Sequence, residues 1–218
     1  MATGRPRGFD TDVALERALH VFWRKGYEGA SLADLTKEMG INAPSMYAAF
    51  GDKQTLFYKV LERYASEPGV EASRYLDLPT ARAAVENLLR STVERATDPA
   101  TPPGCLLVHG ALVTGRTGQA VRDELAARRN GDYVSVRQRL ERAVEEGDLP
   151  AGTDPAVLAR YVITVSDGIA VAAVDGATPD ELNQVVDVAL QGWPTKGRSG
   201  VTRNSRKGKT TQRTAKRA

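Results

Sequence analysis

Cys105 and His109 stand four residues apart, a separation that puts two side chains on one face of a helix, and Asp167 could orient them. A thiol, an imidazole and a carboxylate are the parts of a nucleophilic mechanism. The rest of the chain argues against one. The only other histidine, His20, falls inside an amphipathic stretch, and no phosphate-cradling glycine loop, metal-spaced Cys/His cluster or nucleophile elbow occurs. Catalysis, a cofactor and a metal are therefore not expected. His109, among Leu106, Leu107, Val108 and Leu112, reads first as a core histidine and second as a ligand contact. Cys105 reads first as a small core hydrophobe.

Residues 31–50, SLADLTKEMGINAPSMYAAF, carry a different chemistry, contact with a polyanion. Ser31 is a good N-cap, and Asp34 three residues on approximates a capping box. Leu32, Leu35 and Met39 predict one apolar face, and Gly40 suits a left-handed C-cap. Asn42 can cap a second helix from Ala43 to Phe50, with Pro44 in its first turn and Ile41, Met46 and Phe50 inward. Two short helices around a glycine turn are either an ordinary helical hairpin or a helix-turn-helix, whose second helix fits the major groove of DNA. Ser45 and Asn42 are then the best base-edge candidates, being short, polar and in the N-terminal half of that helix.

The flanks extend the pattern. Residues 9–64 place FW near the end of an apolar first helix, then Gly26-Tyr27, Ser31-Leu32, Asp34-Leu35, Gly40-Ile41, Ser45-Met46-Tyr47, Phe50-Gly51, Lys53 and Leu56-Phe57. In that order they resemble the tetracycline-repressor (TetR) family of one-component regulators. The resemblance implies an all-α fold: an N-terminal three-helix DNA reader joined to a C-terminal helical domain for ligand binding and dimerisation. It implies DNA contacts at Ser31, Asn42, Ala43, Pro44, Ser45, Tyr47 and Lys53, with Tyr47 and Lys53 on phosphates. Ala43 and Ala48 depart from the basic residue and histidine common in the family, which suggests fewer charged contacts and methyl contacts to thymine. The implied partners are a palindromic double-stranded operator, a largely apolar small-molecule effector and a second copy of the chain, with repression the usual mode. The rival reading is an architectural DNA-binding protein of low sequence preference.

Charge distribution gives the domain plan. The net charge of +3 divides into +9 over 195–218, +1 over 1–60 and −7 over the remainder. We expect a flexible arm (1–8), a reader (9–52), a helical domain (53–194) and a disordered basic tail (195–218), which either releases counterions on DNA or merely solubilises. Arg5 and Arg7 of the arm are read equally as groove contacts or solvated charge. A first helix runs from Asp10 or Thr11 to about Lys25, with Val13, Ala14, Ala18, Val21 and Phe22 inward, and a fourth starts at Asp52. Residues 68–79 read as a linker, 80–97 as a helix and 105–115 as a fully buried one. Residues 117–146 form one helix or two, with Asn130-Gly131 the weak point, and two more helices open at Pro155 and Pro179. Tyr64, Cys105, His109, Tyr161, Asp167 and Trp193 are candidate ligand contacts. Small residues around Gly168 and the apolar Val185, Val186 and Leu190 suit a helical dimer interface. One cysteine forms no internal disulfide and fits a reducing cytoplasm, and no signal or membrane segment is expected.

Overall fold

A computed structural model describes residues 8–66, 73–112 and 118–195. Most of the expected arm and tail lie outside these residues. Among the described residues the chain forms ten α-helices and no strand.

The first four helices share one core, and the first three span the expected reader. Asp10 caps α1 (Thr11–Gly29) by accepting from the amides of Asp12 and Val13. Gly26 leaves helical geometry, and a last turn carries Tyr27 back under the bundle. Ala14, Ala18, Leu19, Val21, Phe22 and Trp23 are buried, whereas Val13, expected inside, is 46% exposed. The buried arc is centred on residues 18 and 22, and Val13 sits in the first turn at its edge. In α2 (Leu32–Met39), Leu35 and Met39 are buried, but Leu32, at the first position, is exposed. Gly40, at φ 70°, closes α2 through its own amide and brings the chain into α3 (Ala43–Phe50). Asp52 caps α4 (Lys53–Ala65), whose Leu56, Phe57, Val60, Leu61 and Tyr64 are all buried. Phe22 and Phe57 meet edge to face at 4.9 Å, as do Trp23 and Tyr64 at 5.0 Å.

A short α5 (Ser73–Leu76) interrupts the expected linker, because Leu76 has core to enter. Next come α6 (Ala81–Ala96), α7 (Leu106–Leu112), α8 (Gln119–Glu145), α9 (Pro155–Val174) and α10 (Pro179–Gln191). α8 runs unbroken through Asn130-Gly131, since Val136 and Leu140 beyond it anchor the helix in the core. α9 packs on α6 and α8, and α10 on α6. Arg90 ties α6 to α10 through Asn183 and Asp187. α9 is long and apolar enough to cross a bilayer by length and composition. It instead lends Val162, Ile163, Ile169 and Ala173 to the core, beside Trp193.

The two hydrophobic cores do not divide where the linker does. Leu106 of α7 and Val121 and Leu125 of α8 pack with α1 and α4, in the reader's core. The reader is thus built on part of the second half of the chain.

Candidate functional site: a DNA-reading surface and a cleft behind it

The reading surface rests on two capped helix starts. The Ser31 hydroxyl donates to Asp34 Oδ2 at 2.7 Å, the Asp34 amide donates to Ser31 Oγ at 3.0 Å, and the Ser31 amide reaches Asp34 Oδ2 at 3.1 Å. Lys25 Nζ lies 2.7 Å from Asp34 Oδ1. The Lys25 and Ser31 donors hold the Asp34 carboxyl far below the usual carboxylate range. The hydroxyl proton of Ser31 is thereby used within the box. What this helix start offers an anion is the pair of first-turn amides, Leu32 and Ala33, which have no intrahelical partner.

Asn42 caps α3 in the same way, its Oδ1 accepting the Ser45 amide at 2.9 Å. Only its N–H donors remain outward, which suits acceptor edges such as guanine O6/N7 or thymine O4. Along α3, Met46 and Phe50 face inward, Pro44, Tyr47 and Ala48 are exposed, and Ala43 and Ser45 are half-buried. This face carries no formal charge, so positive charge comes from its surroundings. Lys53, at the first position of α4, holds its ammonium 4.6 Å from the centroid of the Tyr27 ring. Burial pushes the Lys53 pKa down, which makes an incoming phosphate a favourable neighbour. Arg17, which sequence reasoning did not single out, brings Nη1 to within 3.2 Å of where a Cβ on Gly40 would stand, above the turn between α2 and α3. Its signal was available: an exposed cation on the outer face of α1.

Behind the reader lies a cleft with about 70 Å³ of internal space. Tyr64, Cys105 and Asp167 line it together. Its apolar lining is Leu88, Leu107, Val108, Ile163 and Ala170, and its charged lining adds Arg95, Arg129 and Asp132. The 105–115 stretch was expected to be buried all round. In the described part Leu106 is buried, while Leu107 and Val108 turn toward the cleft, which is why so apolar a helix is only half covered.

His109 and Tyr161, also expected as ligand contacts, do not border this cleft. The His109 ring packs against the Gly104 backbone near Val174 of α9, and its burial pushes the imidazole pKa down. Tyr161 is exposed on α9 and donates its hydroxyl to the Ala189 carbonyl of α10 at 3.4 Å. Trp193 belongs to the core rather than the cleft. Cys105 accepts from the Tyr64 hydroxyl at 3.3 Å instead of pairing with His109, so no thiol–imidazole couple forms.

Comparison with known proteins agrees with this geometry. Residues 14–60 match the family model for bacterial regulatory proteins of the tetR family, and residues 81–188 match that for the tetracyclin repressor-like C-terminal domain. The transcriptional repressor ComR of Escherichia coli K12 is 30% identical over 193 residues, covering 88% of this chain and 92% of ComR. YezE of Bacillus subtilis, an uncharacterised HTH-type regulator, is 30% identical over 194 residues, covering 86% and 97%. A cysteine variant of the TetR-family regulator CifR, solved with a 26-base-pair operator duplex, superposes with a TM-score of 0.83 at 46% identity, covering 87% of this chain and 100% of CifR. With both halves matched and relatives aligned almost end to end, the chain belongs to the TetR family of bacterial transcriptional regulators.

Proposed function

We propose that this protein is a homodimeric repressor that leaves a palindromic operator when a small molecule enters the cleft behind its reader. It is not an enzyme. Residues 9–52 serve as the reader and 53–194 as the regulatory domain, and a cytoplasmic location follows from its work on DNA. Asn42, Ala43, Pro44, Ser45 and Ala48 meet base edges. Tyr47, Lys53, Arg17 and the α2 start, capped by Ser31, hold phosphates.

One observation carries the coupling. α4 bears Lys53 at its first turn and Tyr64 at its last, where Tyr64 lines the cleft and packs edge-on against Trp23 of α1. A ligand that displaces the Tyr64 hydroxyl from Cys105, or wedges α7 outward, bears on α1 and α4 together and changes the separation of two readers in a dimer. The outer faces of α9 and α10, with Val157, Val171, Val174, Val185 and Val188 exposed, provide the apolar area for that dimer.

Reciprocity tests the reading. A compound that weakens operator affinity by some factor must itself bind the operator complex more weakly by the same factor. Titrating compound against free and operator-bound protein should return equal factors. A compound that fills the cleft and leaves operator affinity unchanged would refute the coupling.

A further inference from the structure

The cleft's hydrogen-bonding groups are unevenly used. Its hydroxyl donors have partners: the Tyr64 hydroxyl is on Cys105 Sγ, the Tyr75 hydroxyl on Ser91 Oγ at 2.6 Å and the Thr92 hydroxyl on the Leu88 carbonyl at 3.0 Å. Arg95 Nε reaches the Ser91 carbonyl at 3.3 Å, and Arg129 Nη1 reaches the Leu107 carbonyl at 2.6 Å. The strongest acceptors do not. Asp132 of α8 and Asp167 of α9 both line the cleft and are half-buried, yet neither accepts a hydrogen bond or forms an ion pair with any described residue. Arg129, on the same helix as Asp132, places Nη1 on a backbone carbonyl, and its charge acts on Asp167 without a direct contact.

Carboxylates taken partly out of water without a donor are costly, and a ligand that supplies the donor recovers that cost. The lining charges balance, Arg95 and Arg129 against Asp132 and Asp167, so no net field rejects a cation. A cation between the two carboxylates meets acceptors with no hydrogen-bond partner among the described residues, whereas Arg95 and Arg129 each already hold one carbonyl. The apolar part of the lining, Leu88, Leu107, Val108, Ile163 and Ala170, takes hydrocarbon.

We infer that the effector is an amphiphilic amine, its ammonium held between Asp132 and Asp167 and its hydrocarbon body laid on the apolar lining. The inference rests on the effector reading above and names the ligand class. It also carries a pH signature. Burial, with Asp167 adding to it and Arg95 opposing, pushes the Asp132 pKa up to about 6, and burial raises that of Asp167 against Arg129 and Arg160. The other titratable groups on the cleft are Tyr64 of α4, Tyr75 of α5 and Cys105 before α7, besides the guanidiniums of Arg95 and Arg129. Protonating Asp132 removes the negative charge that attracts the ammonium, so amine affinity is full above pH 7 and falls as pH drops through 6. A carboxyl titrating near 6 gives a loss of about fourfold between pH 7.5 and 5.5.

The test uses the full chain and three chain-matched probes, hexylamine, hexanol and hexanoate, with 2-phenylethylamine as a bulkier amine. Binding is read by calorimetry and by release from a selected operator. The inference expects the amines to bind, with affinity falling on the order of tenfold in Asp132→Asn and in Asp167→Asn. The exposed Glu145→Gln at the end of α8 serves as a control and should change nothing. Both Asn variants should keep operator affinity and melt no lower than the parent, since a buried charge has been removed. If hexanoate or hexanol binds the cleft and releases the operator while the amines do not, the effector cleft stands and the amine assignment falls. Amine affinity untouched by either Asn variant, or no amine binding at millimolar concentration, also overturns it.

Discussion

One added methyl group should have opposite effects at Gly104 and Gly131. Gly104 joins α6 to α7 at φ +86°, a conformation that costs a residue with a Cβ about 1–2 kcal/mol. A Cβ there would lie 2.4 Å from His109 Cε1, 2.7 Å from Val174 Cγ2 and 2.8 Å from the Ala170 carbonyl oxygen. The imidazole can swing aside. The carbonyl belongs to the α9 backbone and yields only if the helix moves, an overpacking cost of about 1–3 kcal/mol. Gly104→Ala should therefore destabilise the protein by roughly 2–5 kcal/mol and lower Tm by about 4–20 °C for a chain of this size. Gly131 lies exposed inside α8 with nothing within 4 Å of a built Cβ. There alanine's helix propensity should add about 0.5–1 kcal/mol and raise Tm by roughly 1–4 °C. Circular-dichroism melts of both variants at one protein concentration are sufficient. A Gly104→Ala protein that melts within about 2 °C of the parent would refute the packing described around α7. A destabilised Gly131→Ala would refute the continuous α8.

Tyr47→Ala and Lys53→Ala should each weaken binding to specific and random duplexes alike, and the lysine change should flatten the slope of log K against log salt by about 0.9. Anisotropy titrations at several salt concentrations, with gel filtration to check the dimer, decide this. Because α3 presents Pro44 and Ala48 rather than charge, replacing operator thymines by uracil should cost about fourfold per contacted methyl, from ~0.8 kcal/mol each. No loss at any thymine of the half-site would contradict this. Deleting 195–218, which removes nine positive charges, should flatten the salt slope by about 2.7 if roughly three of them meet phosphate, and leave the preferred sequence unchanged. An unchanged slope would show the tail to be a bystander.

The reader was legible because its signals are local. Ser31, Asn42 and Asp52 each stand one residue before a helix, and Gly40 stands where a left-handed residue is needed. The exposed edges, Val13 and Leu32, were misjudged because periodicity marks a face but not how much of it is covered. The cleft was legible only in part. Tyr64, Cys105 and Asp167 attract notice as polar or reactive groups in apolar surroundings. Arg129 and Asp132 lie within the row Leu125, Arg129, Asp132, Val136, Leu140, whose spacing runs along one helix face. Charges on an otherwise buried row were a readable signal, hidden in a helix dense with surface charge. That Leu106, Val121 and Leu125 pack with the reader depends on contacts between distant segments, which no local pattern encodes.

Selection of a preferred duplex from a random pool bears most directly on the central claim. Two readers related by a dimer axis should enrich an inverted repeat whose half-sites are centred roughly 34–36 Å apart or a multiple of that, and Asn42→Ala or Ser45→Ala should abolish or alter the repeat. A pool that remains random after selection, with all duplexes bound alike, would contradict the account and leave a protein that grips the DNA backbone without reading it.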